Sequence, residues 1–247
     1  MKLSLAEPKY IKDSIAIISE LVNEARFRIN ANAIELIAMD PANVAMVIFK
    51  LLSSSFVEYN VKEPVDVAIN LGNLKQILRR AGPTDTITLE IEESKLKITF
   101  KGATIRTFFL PIIDIEEKEQ KVPELSFGVS IQTSADVLSQ AVEDVDIVGE
   151  SVSFLAEPSK LTIQAEGDLS KARIEVKDSE NTKISMHAKE SLRSKYSIEY
   201  LKKMVVAGKL APQVMIHFNN DYPLKLDYKI IDKLNLSFIL APRVESD

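Results

Sequence analysis

The sequence predicts an α+β protein made of two similar domains, each with antiparallel sheets and two helices. One observation is an ordered internal repeat. Leu74-Lys75-Gln76-Ile77-Leu78 followed by Ala81-Gly82 recurs as Leu201-Lys202-Lys203-Met204-Val205 followed by Ala207-Gly208. Ile87 and Leu89 match Val214 and Ile216, Lys95–Phe100 matches Pro223–Tyr228, and Phe108-Phe109-Leu110 matches Phe238-Ile239-Leu240. Upstream, Ile34, Leu36 and Ala38 match Leu161, Ile163 and Ala165. The separation drifts only between 126 and 130 residues, which indicates two copies of one unit. The second observation is that strand-like runs outnumber helical stripes and do not alternate strictly with them, which argues against a parallel βαβ sheet.

Each copy is expected to begin with a helix. In the first copy Ile11, Ile15, Ile18 and Val22 recur at helical spacing behind Pro8, which suits a first helical turn. The counterpart is placed from Thr133, with Asp136 as a capping acid and Val137, Ala141, Val145 and Val148 as the buried stripe. Strands are then expected at Arg26–Ile29, Ile34–Met39, Val44–Leu51 and Val65–Asn70, matched by Val152–Leu155, Lys160–Ala165, Lys171–Lys177 and Lys183–Ala188. A second helix spans about Leu71–Ala81 or Ser197–Ala207, with Gly82 or Gly208 in the favoured post-helix position. Three strands complete each copy, joined at turns such as Glu92-Glu93-Ser94 and Asn219-Asn220-Asp221. The domains read as 1–112 and 125–247, joined by a connector at 113–124.

Composition narrows the function. At 247 residues and 46% hydrophobic, the chain is long enough for two modest cores and is neither disordered nor fibrous. There is no Cys, which removes disulfides, thiolate zinc sites and cysteine nucleophiles together and points to a reducing compartment. The N-terminus lacks an apolar signal core, and runs such as Val44–Phe49 are too short to span a bilayer, so a soluble intracellular protein is expected. With only 7 Gly, no phosphate-cradling loop is present. The 2 His, His187 and His217, have no metal-ligand or triad spacing around them and read as strand residues. No catalytic residue, metal site or cofactor is expected.

The connector, from Asp114 through Glu116-Glu117-Lys118-Glu119 to Pro123, is mostly charged and carries no helical stripe. Its apolar Ile112, Ile113, Ile115 and Val122 suggest that it docks something as well as linking.

The helices of this acidic chain, with a formal net charge of -5, nonetheless present cations on their outer faces. Lys75, Arg79 and Arg80 lie opposite the apolar face of one helix, and Lys202, Lys203 and Lys209 opposite that of its counterpart. Lys9 and Lys12 extend the set. A cationic surface can contact phosphate backbones whatever the net charge. The remaining helix breaks the pattern with Glu143, Asp144 and Asp146. No aromatic platform or recognition helix is visible, so contact without sequence preference is expected.

The two-copy layout, with Met39-Asp40-Pro41-Ala42-Asn43-Val44, Gly167-Asp168-Leu169-Ser170, Tyr222-Pro223-Leu224-Lys225-Leu226 and the ending Leu240-Ala241-Pro242-Arg243-Val244-Glu245, resembles the sliding clamps of the proliferating cell nuclear antigen family in its archaeal form. The resemblance spans essentially the whole chain. It implies a DNA polymerase processivity factor: one third of a trimeric ring that encircles double-stranded DNA, with helices lining the hole and sheets outside. By resemblance, Lys9, Lys12, Lys75, Arg79, Arg80, Lys202, Lys203 and Lys209 face DNA. The acidic helix around Glu143 departs from the more basic pattern of many relatives.

The resemblance further implies ring closure by pairing of edge strands between this chain and two further clamp subunits. One edge carries Thr104, Arg106, Phe108 and Leu110, and the other Lys171, Arg173, Ile174 and Val176. Clients such as DNA polymerase, clamp loader, flap endonuclease and ligase would insert an apolar and aromatic motif beneath the connector. The matching pocket positions are Met39, Val44, Val122, Pro223, Ile239, Ala241 and Pro242. Read from the residues alone, these positions are core. Two other readings are an acidic protein-binding scaffold without DNA contact, and a hydrolase using Glu143, Asp144, Asp146 and Glu150 to hold a divalent cation.

Overall fold

The structure is a computed structural model that describes residues 1–115 and 120–243. Glu116–Glu119 of the connector and Val244–Asp247, which includes the Val244-Glu245 of the terminal motif, lie outside the described residues. The chain divides into two compact units. Met1–Pro41, Val47–Val122 and Lys229–Leu236 form the first, and Ala42–Met46, Pro123–Tyr228 and the described residues from Ser237 form the second.

Along the chain the first copy contains β1 (Lys2–Leu5), α1 (Lys9–Ile18), β2 (Glu24–Ile29), β3 (Ala33–Met39), β4 (Ala45–Leu52), β5 (Glu58–Asn60), β6 (Val65–Asn70), α2 (Leu71–Leu78), β7 (Thr86–Glu92), β8 (Lys95–Lys101) and β9 (Ile105–Pro111). The second contains β10 (Val129–Ser134), α3 (Ala135–Asp146), β11 (Ser151–Glu157), β12 (Lys160–Glu166), β13 (Lys171–Lys177), β14 (Lys183–Met186), β15 (Leu192–Ser197), α4 (Ile198–Val205), β16 (Gln213–Phe218), β17 (Leu224–Ile230) and β18 (Leu234–Leu240). The element orders match one for one. So does the strand order: β5-β1-β7-β8-β9 and β4-β3-β2-β6 recur as β14-β10-β16-β17-β18 and β13-β12-β11-β15.

Alternation explains why these segments are strands. In β2, Ala25, Phe27 and Ile29 point inward while Glu24, Arg26 and Arg28 point to solvent, so one face of the pleat is buried. The helices cover those inner faces. In α1, Ile11, Ile15 and Ile18 are buried, and Ile11 and Ile15 line an apolar core with Phe27, Phe49, Leu74 and Leu89. In the second unit, Phe154 packs edge-on against Tyr196 and Phe218, with ring centroids 5.5 and 6.0 Å apart. Full burial of each such side chain stabilises the fold by about 1.5–3 kcal/mol.

Several expectations need correction. Each copy opens with a strand, not a helix: Lys2–Leu5 and Val129–Ser134 precede α1 and α3, and Thr133 belongs to β10. Short polar-alternating strands carry a weak signal, and the helix stripe behind them masks it. The buried stripe of α3 is Leu138, Ala141, Val142 and Val145, rotated from the expected one, so that Val137 and Val148 are only half-buried. Asp136 lies in the first turn of α3, but Ser134 makes no side-chain cap hydrogen bond. The strand equivalent to β6 is β15, not Lys183–Ala188, which corresponds to the short β5.

Gly82 and Gly208 do not take the left-handed conformation, since no described glycine has positive φ. Both helices instead run out through right-handed turns, α4 through a 3-10 turn at Val206–Lys209. At 208 the absence of a side chain allows close approach, since a Cβ there would sit a tight 3.0 Å from that of Ala135. At the β7–β8 turn, Glu93 and Ser94 themselves supply the positive φ that a two-residue hairpin demands.

The second unit buries one carboxylate. Asp227, 7% exposed, lies 3.2 Å from Lys225 Nζ and 3.4 Å from His217 Nε2, and accepts the Ser237 hydroxyl hydrogen. Nδ1 of His217 faces Ser130 Oγ at 2.8 Å. Burial alone would push the Asp227 carboxyl upward. Hydrogen bonds from His217 and Ser237 and the charge of Lys225 more than offset it, holding the group at about 2 against an ordinary 3.8. A depressed folded-state value stabilises the protein above the ordinary one and loses that contribution as pH falls towards the folded one. Urea unfolding should therefore show about 2 kcal/mol disappearing between pH 4 and pH 2. Asp227→Asn should flatten that slope, and an unchanged slope would refute this assignment.

Candidate functional site

The cations of the first unit sit on and beyond α1 and α2, which pack side by side. Leu71, Leu74 and Leu78 bury one face of α2 and leave Arg79 and Arg80 in solvent just past its end. Lys75 is half-buried and pairs with Glu20. On α1, Lys9 is exposed, whereas Lys12 reaches across to donate to the Ala81 carbonyl at 3.0 Å. That bond satisfies an acceptor just beyond α2 and places a cation at the negative end of its dipole.

In the second unit, Ile198, Leu201, Met204 and Val205 bury the inner face of α4. Lys202 and Lys209 are exposed, while Lys203 is half-buried, paired with Glu199 at 3.1 Å and set over the Tyr200 ring at 5.4 Å. The acidic face of α3 meets this surface: Asp146 binds Lys202 Nζ at 2.6 Å. The cationic surface of this unit is thus partly neutralised from within, at a site exposed enough for the pair itself to contribute little stability. Among the described residues no cluster of His, Asp or Glu is placed to hold a metal ion, and Glu143, Asp144, Asp146 and Glu150 do not form one. No helix among them is long and apolar enough to cross a membrane.

The ends of the sheets differ in how they are closed. β5 and β14 are only three and four residues long. At β6, the Ala68 carbonyl accepts from Ile113 N–H at 3.0 Å, and nearby Arg26 donates to the Ile115 carbonyl at 2.7 Å, so the start of the connector covers that edge. At β15, the Lys195 carbonyl accepts from Arg243 N–H at 2.7 Å, and the Arg193 carbonyl from Asp221 N–H at 3.0 Å. β9 and β13, each seven residues, remain long terminal strands bonded on one side, to β8 and β12.

Sequence reasoning placed Thr104, Arg106, Phe108 and Leu110 on the first edge, but the last three turn inward. Leu110 is buried, Phe108 packs on Phe100 with centroids 5.4 Å apart, and Arg106 is bonded within its own unit. The outward apolar side chains are Ile105 and Phe109, 71% and 51% exposed, which lie within the expected edge segment Thr104–Leu110 but were not singled out in it. They alternate with the inward set, so the strand's period carried the signal. On β13, Lys171 and Arg173 are exposed, Ile174 half-buried and Val176 buried.

Of the positions expected to receive a client motif, Met39 and Val122 belong to the first unit and the other five to the second. In the second unit, Val44 and Ala241 are joined by a 2.9 Å bond from Ala241 N–H to the Val44 carbonyl. Pro223 follows Tyr222, whose carbonyl accepts from Tyr196 Oη–H at 2.8 Å and from Ser194 Oγ–H at 3.1 Å. Ile239 is buried, and Ala241 and Pro242 are half-buried. In the first unit, Met39 ends β3 half-buried and Val122 is 42% exposed. A groove of about 400 Å³ opens on the first unit, floored by Ile37 and Ile48 and walled by Arg26, Arg28 and Lys50.

A twice-built α+β unit with helices on one side of its sheets and two long terminal strands defines a clamp-type architecture. The family model for the proliferating cell nuclear antigen N-terminal domain matches residues 1–117, and that for its C-terminal domain matches 121–243. The DNA polymerase sliding clamp of Thermococcus gammatolerans is 38% identical over 238 residues, 96% of each chain. That of Nanoarchaeum equitans is 32% identical over 247 residues, 98% of this chain and 99% of the relative. The crystal structure of the proliferating cell nuclear antigen from Thermococcus kodakaraensis superposes with a TM-score of 0.91 at 29% identity, covering 98% of this chain and 99% of that one. The chain belongs to the proliferating cell nuclear antigen family.

The capping bond from Lys12 yields a test within one unit. Lys12→Ala should cost about 1 kcal/mol in urea unfolding, from a lost charged hydrogen bond at a helix end, with Lys9→Ala near neutral as its control. Equal effects would show that the bond contributes nothing.

Proposed function

We propose that the chain is a DNA polymerase processivity factor, a non-catalytic sliding clamp that assembles with two further clamp subunits around double-stranded DNA. The observation that supports it most is the pairing of family membership with two unlike, long, singly bonded edges. An edge of that length invites a partner strand. Two different edges make a head-to-tail contact, which closes into a ring when the rotation allows.

In this reading the domains are 1–112 and 125–247 with the connector at 113–124, and β9 of one subunit adds to β13 of the next, Thr104 and Lys171 lying at its margins. Lys9, Lys12, Lys75, Arg79, Arg80, Lys202, Lys203 and Lys209 face DNA. Backbone contact through solvated cations exchanges quickly, so the ring slides, and its persistence comes from topology rather than affinity. Met39, Val44, Val122, Pro223, Ile239, Ala241 and Pro242 receive an apolar client motif. An adaptable methionine and proline surface suits many related peptides. Polymerase, clamp loader, flap endonuclease and ligase are the expected clients, and the protein works with intracellular DNA.

The purified chain should show a species three times its 27.6 kDa mass. Once loaded it should stay on nicked circular DNA and be lost when the circle is linearised. Reversing Lys75, Arg79, Lys202 and Lys203 to Glu should shorten its stay on circles. Equal retention on linear and circular DNA would exclude encirclement. Unchanged polymerase stimulation by the reversed variant would favour an acidic scaffold instead.

The Asp146–Lys202 pair makes a separate prediction. Asp146→Asn releases Lys202 and should steepen the salt dependence of DNA association by up to about 0.9 per added phosphate contact in each subunit. A slope equal to that of the parent would mean that Lys202 does not meet phosphate.

A further inference from the structure

We infer that Arg106 is a positioning residue that fixes the end of α2 to edge strand β9. This rests on the clamp reading given above. It concerns how the surface that meets DNA and the surface that closes the ring are held together within the first unit.

The guanidinium of Arg106 grips two groups at once. Nη1 donates to the Arg80 carbonyl at 2.9 Å, just past the end of α2, and Nη2 donates to Asp85 Oδ2. Asp85 is 6% exposed, and the same Oδ2 accepts the Gly82 N–H at 2.7 Å. The guanidinium carbon also lies 5.4 Å from the centroid of the Phe100 ring, on β8 beside the edge strand. One planar, always-charged group thus ties β9 to both the Arg80 carbonyl and the 82–85 turn. The fork geometry of arginine makes this possible and a lysine would not reproduce it.

The surroundings are shaped around that carboxylate. A Cβ on Gly102 would fall 2.0 Å from Asp85 Oδ1, and one on Gly82 would fall 3.3 Å from Oδ2. Gly102 admits Asp85 by having no side chain and Gly82 leaves it a close fit, although neither has positive φ.

The duplication supplies an internal control. The repeat register that matches Phe108 with Phe238 places Leu236 opposite Arg106, and the register that matches Ile87 with Val214 places Pro212 opposite Asp85. Leu236 is fully buried. The same unit therefore folds without an Arg–Asp pair at this corner. The pair occurs in the copy whose last strand ends its sheet, where Ile105 and Phe109 stand exposed. It holds Arg79 and Arg80 in place relative to that strand by bonds within one subunit, so that these cations keep their place whether or not the ring is closed.

The test uses the full chain assembled at high concentration, with Arg106→Lys, Asp85→Asn and the double variant, and Ile105→Glu as a probe of the edge itself. The deciding measurement is amide hydrogen exchange at residues 80–82 in the assembled species. Exchange there should rise roughly tenfold in each single variant and no further in the double, the signature of two groups acting as one. Three-subunit assembly should persist in these variants while their lifetime on nicked circular DNA falls. Ile105→Glu should disperse the assembly and leave exchange at 80–82 as in the parent. If Arg106→Lys and Asp85→Asn leave exchange at 80–82 unchanged, or if Arg106→Lys alone disperses the assembly as Ile105→Glu does, the inference is overturned. Failure of the parent itself to persist on circular DNA would instead overturn the clamp reading and leave the exchange result standing.

Discussion

Backbone hydrogen bonding at the ends of sheets is the constraint on which the rest depends. Every strand that ends a sheet leaves a row of donors and acceptors unpaired on one side, and a protein must shorten, cover or pair that row. This chain does the first two. It shortens β5 and β14, it covers β6 with the start of the connector, and it covers β15 with the Arg243 segment and the Asp221 turn. β9 and β13 escape these devices. In the clamp reading they are left for another copy of the fold, so that assembly completes what folding of one chain leaves undone. The connector then has a structural role before any client arrives, because its first residues close an edge that would otherwise compete for partners.

The cationic helix faces follow a different logic. None of these side chains is set in a built, desolvated site. Lys75, Lys202 and Lys203 share their charge with Glu20, Asp146 and Glu199, and Lys12 is committed to a carbonyl of its own unit. Such a surface holds no phosphate tightly, which is what a ring that moves along DNA requires. Strong, geometrically fixed phosphate contacts would slow sliding, and base contacts would stop it. In the clamp reading, partial neutralisation by α3 is compatible with sliding, since retention would come from closure of the ring.

The repeat was legible because apolar pattern survives divergence. Ile34, Leu36 and Ala38 and their partners Leu161, Ile163 and Ala165 are all buried in equivalent strands. Long stripes such as Ile11, Ile15 and Ile18 were equally plain. What escaped were short strands whose inward positions are few, Lys2–Leu5 and Glu58–Asn60 among them, and the phase of α3, where Val137 and Val148 mimic a stripe one step away from the true one. Edge residues show the same limit from the other side. Alternation shows that Thr104–Leu110 has two faces, but only the fold says which face is inward. Resemblance had named Arg106 and Phe108 there, whereas Ile105 and Phe109 are the ones turned out. The Asp227 cluster was likewise invisible, because His217 and Ser237 are brought to that carboxylate by neighbouring strands, and only Lys225 lies beside it on β17.

Duplication also shows where function has bent the fold. Two copies that need only to fold would keep the same solutions at equivalent places. Where they differ, something other than folding is at stake. The corner beyond the second helix carries Arg106 and Asp85 in one copy, and Leu236 and Pro212 in the other. The outer face of the first helix carries Lys9 and Lys12 in one, and Glu143, Asp144 and Asp146 in the other. Each difference changes the charge carried by the corresponding element, and the buried alternation of the strands is kept. A single core plan can thus serve two unlike ends: one edge strand carries apolar side chains and is braced from within, and the other carries Lys171 and Arg173 outward. Unlike ends are what a head-to-tail ring needs, because identical ones would pair about a twofold axis and stop at two.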